Sequence, residues 1–229
     1  MIKNLHNLFF PEFCLACSKY LLDNESEICT SCRHELPTTG FHHIKNNPFE
    51  KVFYGRVKIE HATALFFFQK KGSVQQLLHN LKYRGHERIG TLLGKWLGHE
   101  LSQSDYYNAI DLIIPVPLHK ARLRQRGYNQ VEKFAQEIAV SLGVQYHSNI
   151  LIKTSSTSTQ VFKKRLERLN SSKASFKVIN ADILAGKHIL LVDDIITTGA
   201  TIEACANQLF TANFNKNLKI SVATMAIAQ

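Results

Sequence analysis

Apolar residues follow two spacings along most of the chain, and these spacings predict alternating helices and strands. Where apolar positions recur every three or four residues, one face of a helix is expected to be buried. This spacing predicts helices over residues 74–81, 89–97, 131–142 and 202–210. Apolar and β-branched runs predict strands over residues 110–116, 150–153, 175–179, 188–192 and 218–228, and one or two strands in 52–68. Because strands alternate with helices over short connections, we predict an α/β fold with a parallel sheet flanked by helices.

The first 32 residues carry four of the five cysteines, arranged as two pairs. Cys14 and Cys17 form one CxxC spacing, Cys29 and Cys32 form a second, and 11 residues separate them. Two such pairs are typical of a tetrahedral Zn²⁺ site with Zn–S distances of about 2.3 Å. Two disulfides or free thiols are the alternatives, and the absence of a secretion signal disfavours the disulfides. We predict a structural zinc site in a small domain of residues 1–48, followed by a larger domain of residues 49–229.

Basic side chains are concentrated in the larger predicted domain. The 229 residues include 28 Lys+Arg and 18 Asp+Glu, for a net charge of +10. The first 50 residues hold four basic and six acidic side chains, so the remainder holds 24 and 12. This excess favours phosphate-bearing partners without defining a nucleic-acid site. With 45% apolar residues and no run of about 20 of them, we expect neither wholesale disorder nor a membrane span, and we expect a cytoplasmic location.

The segment ILLVDDIITTGATIEAC, residues 189–205, contains the most informative chemistry. The predicted strand is followed by two carboxylates, Asp193 and Asp194, and then by a loop that opens a helix. The loop, called the threonine loop below, consists of Thr197, Thr198, Gly199, Ala200 and Thr201. Backbone N–H groups at a helix start, together with hydroxyls and a glycine, are suited to a phosphate group. In an open α/β sheet, ligands bind at such carboxyl ends of strands.

The two carboxylates indicate that the ligand offers hydroxyl donors as well as phosphate, because ionised carboxylates only accept hydrogen bonds. A ribose 5-phosphate unit has both groups. The chain lacks GxxxxGK[ST], which excludes a P-loop nucleotidase, and no GxGxxG follows a predicted strand. An ordinary strand-to-helix turn is the alternative, but a simple cap requires neither adjacent carboxylates nor three threonines.

Residues 192–201, VDDIITTGAT, resemble the phosphoribosyl pyrophosphate (PRPP) motif of type I phosphoribosyltransferases. Three further segments are similar to the ComF competence family: FFPEFCLAC at residues 9–17, LKYRG at 81–85 and PVPLHKARLRQRGYNQ at 115–130. The resemblance covers nearly the whole chain. It implies a type I phosphoribosyltransferase-like sheet, PRPP and Mg²⁺ as ligands, and Asp193 and Asp194 as catalytic residues. It also implies single-stranded DNA and other competence proteins as partners.

A basic segment follows the predicted strand at 110–116. Lys120, Arg122, Arg124 and Arg126 occur with no acidic residue between positions 112 and 131. Such a cationic loop suits a pyrophosphate, because arginine offers forked donors, although a solvated basic loop has the same composition. The resemblance implies that the pyrophosphate loop includes Leu118, His119, Lys120 and Arg122.

Other segments shared with the family do not predict a specific binding role. Residues 126–130 form the family's RGYNQ signature, for which no role is predicted, and residues 84–85 fit either a loop over the site or a helix break. Lys153 stands where the family tends to have arginine, and the pattern that follows is only partly present, in Gln160, Arg165, Arg168 and Asn170. A short basic helical segment is expected over residues 162–169. Cys205 is predicted to lie in the core.

Two functions are consistent with the sequence and the resemblance. In one, the protein binds PRPP without turnover and handles single-stranded DNA during natural transformation. In the other, it is an active phosphoribosyltransferase that transfers ribose 5-phosphate to an acceptor.

Overall fold

The computed structural model describes residues 11–154, 176–213 and 217–228. The helices are α1 (Thr30–Glu35), α2 (Pro48–Lys51), α3 (Ser73–Tyr83), α4 (Arg88–Ser102), α5 (Lys120–Arg126), α6 (Val131–Leu142) and α7 (Ala200–Ala212). The strands are β1 (Ala62–Phe68), β2 (Leu112–Pro115), β3 (Gln145–Tyr146), β4 (Leu151–Lys153), β5 (Phe176–Val178), β6 (His188–Ile196) and β7 (Lys219–Ala228). Short 3₁₀ helices occupy Phe41–His43 and Ala181–Leu184.

Five strands form one parallel sheet in the order β1-β7-β6-β2-β3. Strand β6 lies at its centre, where Leu191 is opposite Val222 of β7 and Ile114 of β2. Strands β4 and β5 form a separate antiparallel pair. The predicted α/β fold, a parallel sheet flanked by helices, is confirmed, and the predicted helices over 74–81, 89–97, 131–142 and 202–210 are all present.

Both faces of the sheet are covered by apolar side chains, as continuous apolar strands require. One core joins helices α3, α4 and α6 to the sheet and also includes the buried cysteines of the N-terminal segment. The other core joins α7 to the opposite face, together with Phe49 and Phe53. Helices α4 and α6 approach closely at Gly94, where a Cβ atom would lie 2.6 Å from the Phe134 carbonyl oxygen. Cys205 is buried in the second core, as predicted.

The prediction of strand structure across residues 52–68 is wrong in its first half. The strand begins only at Ala62, and helix α2 followed by turns occupies residues 48–57. The Asn47 side chain caps α2 by accepting hydrogen bonds from the backbone N–H of Phe49 and Glu50. Phe49 and Phe53, four residues apart, then bury their rings on one side of this helical turn.

Two other expectations also need correction. Strand β6 does not end at Val192 but continues to Ile196, because Ile195 and Ile196 keep their pairing with Ala226 and Ile227 of β7. The predicted cationic loop is the short helix α5, which begins after a His119 cap and ends at Gly127. The expected helical segment at 162–169 and the residues Gln160, Arg165, Arg168 and Asn170 lie outside the described residues. No helix in the described ranges is long and apolar enough to cross a membrane.

Candidate phosphate and metal sites

The threonine loop connects the centre of the sheet to helix α7. Thr197, Thr198 and Gly199 form the turn after β6, and Ala200 and Thr201 are the first two residues of the helix. Gly199 has φ +76°, which a residue with a Cβ atom rarely adopts, and a Cβ there would lie 2.9 Å from Val52 Cγ1. The glycine is therefore required both by the backbone conformation and by the close contact with the segment after α2.

The threonine side chains of this loop are exposed, and the first backbone N–H groups of the 13-residue helix α7 lie beside them. The first N–H groups of any helix have no partner within the helix, and its N-terminus favours an anion by about 0.3–1 kcal/mol when exposed. A hollow of about 40 Å³ is lined by Asp193 and by residues 195–202. The loop thus offers hydroxyls and helix N–H groups around one small depression.

Arg56 supports the threonine loop from the side of helix α2. Its Nη1 donates a hydrogen bond to the Thr198 carbonyl oxygen at 2.6 Å, and its Nη2 forms a 2.5 Å ion pair with Glu203 in the first turn of α7. The side chains of Arg56 and Glu203 are each about a third exposed. The guanidinium thus connects both ends of the loop. Arg56 was not predicted from the sequence because 142 positions separate it from Thr198.

The acidic pair, Asp193 and Asp194, lies on β6 just before the threonine loop. The backbone N–H of Asp194 donates to Asp193 Oδ1 at 2.8 Å. Lys82, from the last turn of α3, forms a 2.8 Å ion pair with Asp194 Oδ2, and both side chains are largely buried. Lys82 belongs to the LKYRG segment identified from sequence, but its ion pair with Asp194 was not predicted.

Burial and the charge of Asp194 raise the pKa of Asp193, whereas Lys82 and Lys153 oppose that rise. Burial, with Arg122 as a second cause, lowers the pKa of Lys153. A site that contains two partly buried carboxylates and nearby cations is a typical place for perturbed titration. The arrangement favours a ligand that brings hydroxyl donors or positive charge to the carboxylates.

The basic segment lies beside the acidic pair because β2 and β6 are neighbours in the sheet. The backbone N–H of Val116, just beyond β2, donates to the Val192 carbonyl oxygen at 2.8 Å. Lys120 and Arg122 on α5 are exposed, and Leu118 and His119 are half-buried. His119 Nδ1 caps α5 by accepting from the Ala121 N–H at 3.2 Å. The carboxyl ends of β2 and β6 therefore bring the predicted pyrophosphate segment and the threonine loop to one edge of the sheet.

The RGYNQ signature at residues 126–130 joins the surrounding elements. The Tyr128 hydroxyl donates to the Leu81 carbonyl oxygen near the end of α3. The Asn129 side chain donates to the Val116 carbonyl oxygen and accepts from the Val131 N–H at the start of α6. These contacts give the signature a structural role, which is to fix α3, α6 and the end of β2 relative to one another.

The four N-terminal cysteines lie close enough to hold one metal ion. Their sulfur atoms are all within 4.8 Å of one another, and Cys17 Sγ and Cys29 Sγ are 3.8 Å apart. A tetrahedron of sulfurs about 2.3 Å from a central Zn²⁺ has edges of about 3.8 Å, so the spacing fits. Burial opposes ionisation of Cys14, but a backbone hydrogen bond from Cys29 and others lower its pKa to about 7. None of the five cysteines forms a disulfide.

A cavity of about 810 Å³ lies between this cysteine segment (residues 11–36) and the turn that joins α3 to α4. Leu15 and Phe13 line one side, and Asn80, Arg84 and Arg88 line the other. This cavity is much larger than the hollow at the threonine loop but contains none of the predicted phosphate-binding residues. Size alone therefore does not locate the candidate phosphate site.

Comparison with known proteins identifies bacterial relatives. The chain is 31% identical over 136 residues to the DNA utilization protein YhgH of Escherichia coli O157:H7, covering 58% of this chain and 59% of that protein. It is 32% identical over 100 residues to Competence protein F of Haemophilus influenzae, covering 43% and 44%. It is 26% identical over 202 residues to Competence protein ComFC of Bacillus subtilis, covering 83% and 80%. The aligned part thus spans about three fifths of the YhgH relative's length. No protein-family model matches the chain.

Solved structures with a similar fold include phosphoribosyltransferases. A glutamine PRPP amidotransferase from B. subtilis has a TM-score of 0.44 and 18% identity, covering 64% of this chain and 30% of that one. A hypoxanthine phosphoribosyltransferase from Staphylococcus aureus has a TM-score of 0.38 and 13% identity, covering 60% and 62%. At these scores the similarities do not bear on substrate or activity. The curated relatives confirm the resemblance inferred from sequence: the chain is a homologue of Competence protein F and ComFC.

Proposed function

We propose that the protein binds PRPP with Mg²⁺ and handles single-stranded DNA during natural transformation. The observation that carries the proposal is the placement of the acidic pair directly before the threonine loop, at the carboxyl end of the central strand β6. Within a single ligand, ribose hydroxyls would donate to the carboxylates while the 5-phosphate accepts from the loop. PRPP contains both groups.

In this proposal each part of the site binds one part of PRPP. Thr197, Thr198 and Thr201 donate hydroxyl hydrogen bonds to the 5-phosphate, and the N–H groups of Gly199 and Ala200 donate to the same oxygens. Lys120 and Arg122, exposed on α5, bind the diphosphate, and arginine can do so with forked donors. The backbone N–H groups around Leu118 and His119 lie at the same end of β2. Mg²⁺ supplies further neutralisation of the diphosphate charge.

An active phosphoribosyltransferase is the second candidate, and the acidic pair is the observation that favours it. If the bond between ribose C1 and the diphosphate oxygen breaks, its electrons leave with the diphosphate and positive charge develops on the ribose ring. Asp193 and Asp194 would stabilise that charge, and an acceptor would then bond to C1. The carboxylates must be ionised to act in this way.

The role in DNA handling is supported by the names of the relatives and by charge. One relative is named a DNA utilization protein and two are named competence proteins. The chain carries a net charge of +10, and Arg124 adds an exposed cation on α5 that the PRPP proposal does not use. Single-stranded DNA binds to such surfaces through its phosphates. Other competence proteins are proposed as partners on the same grounds.

We propose that the metal of the cysteine site is Zn²⁺ with a structural role. The set of four sulfurs and their 3.8 Å spacing suit a closed tetrahedral site. Few apolar side chains are available to residues 11–36 alone, so metal binding would supply folding free energy for this segment.

Calorimetry with PRPP, ribose 5-phosphate and pyrophosphate, each with Mg²⁺, tests the proposal. PRPP should bind most tightly because only PRPP engages both α5 and the threonine loop. The triple variant Thr197→Ala, Thr198→Ala, Thr201→Ala should bind PRPP at least about tenfold more weakly, since each charge-assisted hydrogen bond contributes about 1.5–3 kcal/mol. Equal affinity of the triple variant and wild type would exclude this loop as the site. Release of pyrophosphate in the presence of a panel of bases, with and without single-stranded DNA, distinguishes binding from turnover.

A further inference from the structure

Lys82 is the one residue that forms an ion pair with the acidic pair among the residues that the structure describes. Its Nζ lies 2.8 Å from Asp194 Oδ2, and the two side chains are only 17% and 15% exposed. Solvent screens a largely buried ion pair less than a surface pair. Lys82 therefore constrains the orientation of the Asp194 carboxylate.

The last turn of α3, residues 80–83, is fixed by contacts with two other parts of the molecule, the cysteine segment and the RGYNQ signature. Asn80 Nδ2 donates to the Leu15 carbonyl oxygen at 2.8 Å, within the cysteine segment. The Leu81 carbonyl oxygen accepts from the Tyr128 hydroxyl. The Tyr83 ring lies 5.3 Å from the Arg126 guanidinium, in a cation–π contact. Lys82 lies between these fixed residues, so its backbone has little freedom to move away from Asp194.

The contact at Asp194 Oδ2 is compatible with ligand binding. A carboxylate has two oxygens and about four lone-pair sites, so an ion pair at one oxygen leaves capacity for a hydroxyl donor. The neighbouring Asp193 is held in turn by the Asp194 N–H at 2.8 Å. The backbone of Asp194 therefore orders one carboxylate, and Lys82 orders the other.

We propose that Lys82 is a positioning residue for the acidic pair: it holds the Asp194 carboxylate in place, and its positive charge lowers the cost of two adjacent negative charges at the end of β6. The ribose-binding consequence of this role rests on the proposed function, but the electrostatic role does not. In this proposal the LKYRG segment contains Lys82, and the RGYNQ segment fixes its position.

Other titratable groups also face the acidic pair. Lys153 on β4 acts on Asp193 from a second direction, and its own charge is disfavoured by burial and by Arg122 on α5. The buried Cys205 thiol on α7 faces Asp193 as well, and burial raises its pKa. A neutral thiol contributes no charge near pH 7. Among the described residues, removal of Lys82 would leave Lys153 as a cation that still acts on Asp193.

Titration of the Asp193 carboxylate carbon by NMR tests the electrostatic role without any ligand. Lys82→Met should move the Asp193 midpoint to higher pH by about one unit, because Lys82 is one of the cations whose charge lowers the pKa of Asp193. Lys82→Arg should keep the midpoint near the wild-type value, and Lys95→Met, which removes an exposed charge on α4, should leave it unchanged. If Lys82→Met does not fold, Lys82→Gln serves for the same measurement. A midpoint that does not move in the folded variant overturns the proposal.

Calorimetry with Mg²⁺ and PRPP then tests the consequence for binding. Burial and the charge of Asp194 raise the pKa of Asp193 to about 8. A further rise of one unit should therefore make the affinity of Lys82→Met about tenfold lower than that of wild type at pH 6.5, and only about threefold lower at pH 8.5, where more of the variant is ionised. An equal loss at both pH values would contradict a role through ionisation. If wild-type protein binds no PRPP while the Asp193 midpoint still moves in Lys82→Met, the proposed function fails and the positioning role of Lys82 stands.

Discussion

Asn80 Nδ2 donates a 2.8 Å hydrogen bond to the carbonyl oxygen of Leu15, and this bond connects the cysteine segment to the main sheet domain. Leu15 lies between the metal-site residues Cys14 and Cys17, whereas Asn80 lies in the last turn of α3, two residues before Lys82. Asn80 is 3% exposed, so water does not compete for this bond. The candidate metal site and the acidic pair are thus attached to the same turn of one helix.

Removal of the metal should unfold the cysteine segment while leaving the sheet folded. Cys29→Ser removes one of four ligands, and structural zinc supplies about 10–16 kcal/mol of apparent binding free energy in isolated zinc fingers. We expect about one Zn²⁺ per chain in wild type by elemental analysis and less in the variant. Hydrogen exchange should increase in residues 11–36 but not in β6 and β7.

Ser31→Ala is the matched control, because Ser31 is exposed in the same segment and its hydroxyl donates to the Glu35 side chain rather than to a cysteine. It should retain the metal. Anaerobically purified wild-type protein without bound metal would contradict the zinc assignment. Loss of exchange protection throughout β6 and β7 in Cys29→Ser would contradict the predicted independence of residues 1–48 from residues 49–229.

Arg56→Gln should lower the affinity for ribose 5-phosphate more than it lowers the stability of the fold to heat. The substitution removes the donor to the Thr198 carbonyl oxygen and the ion pair with Glu203. A partly exposed ion pair contributes about 0.2–1 kcal/mol to stability, so thermal unfolding should change little. Calorimetry should show a several-fold lower affinity, because the threonine loop is no longer held at Thr198.

A double-mutant cycle with Glu203→Gln checks this role of Arg56 directly. The two substitutions should be non-additive in binding free energy if both act by fixing the loop. Lys58→Gln removes a comparable charge from an ion pair whose lysine is 79% exposed, and it should leave ribose 5-phosphate affinity unchanged. Wild-type affinity in Arg56→Gln would show that the loop does not need this support.

The sites that could be predicted from sequence are those whose residues lie next to one another along the chain. The threonine loop, the acidic pair and the two CxxC pairs each occupy a few neighbouring positions, and the sheet order then places α5 beside them. Arg56 and Lys82 were missed because their roles depend on contacts 142 and 112 positions away. Strand β6 was predicted too short because the two aspartates interrupt its apolar pattern, whereas its pairing with β7 continues past them.

His42 should make the folded state less stable in mild acid. Burial, with the charge of His43 as a second cause, lowers the pKa of His42 to about 4, compared with about 6.5 in the unfolded chain. The unfolded state therefore binds a proton first as the pH falls. The contribution of His42 to stability is fully present above pH 6.5, decreases below it, and is lost near pH 4, amounting to at most about 3 kcal/mol.

Urea unfolding between pH 7.5 and 4.5 measures this effect. His42→Gln should give a flatter dependence of the free energy of unfolding on pH than wild type, whatever its stability at pH 7.5. Glu100, whose Oε2 lies 3.4 Å from His42 Nδ1 and whose pKa burial raises, acts in the opposite direction. His86→Gln, at an exposed position, should keep the wild-type slope. Identical slopes for wild type and His42→Gln would contradict the buried, neutral state of His42.

Binding of single-stranded DNA should depend steeply on salt and little on sequence. For about five neutralised phosphates, the logarithm of the association constant should fall with that of salt concentration with a slope of roughly −3 to −4, at about −0.7 per phosphate. Arg124→Glu reverses an exposed charge on α5 that the proposed PRPP contacts do not include. It should weaken binding of all DNA sequences alike and make the slope less steep by roughly 0.7 for each phosphate that the variant no longer neutralises.

The basic residues Lys163, Lys164 and Arg165 lie outside the described residues. Their contribution to DNA binding can be measured by the same salt dependence. Their triple substitution to Glu should reduce the slope further while leaving the pocket at Asp193 and Asp194 intact. Fluorescence anisotropy with labelled oligonucleotides of two unrelated sequences at several salt concentrations measures both effects. Because binding to phosphates releases counterions, affinity that does not change with salt would exclude binding through phosphates. It would leave the phosphoribosyltransferase interpretation as the one supported by the site.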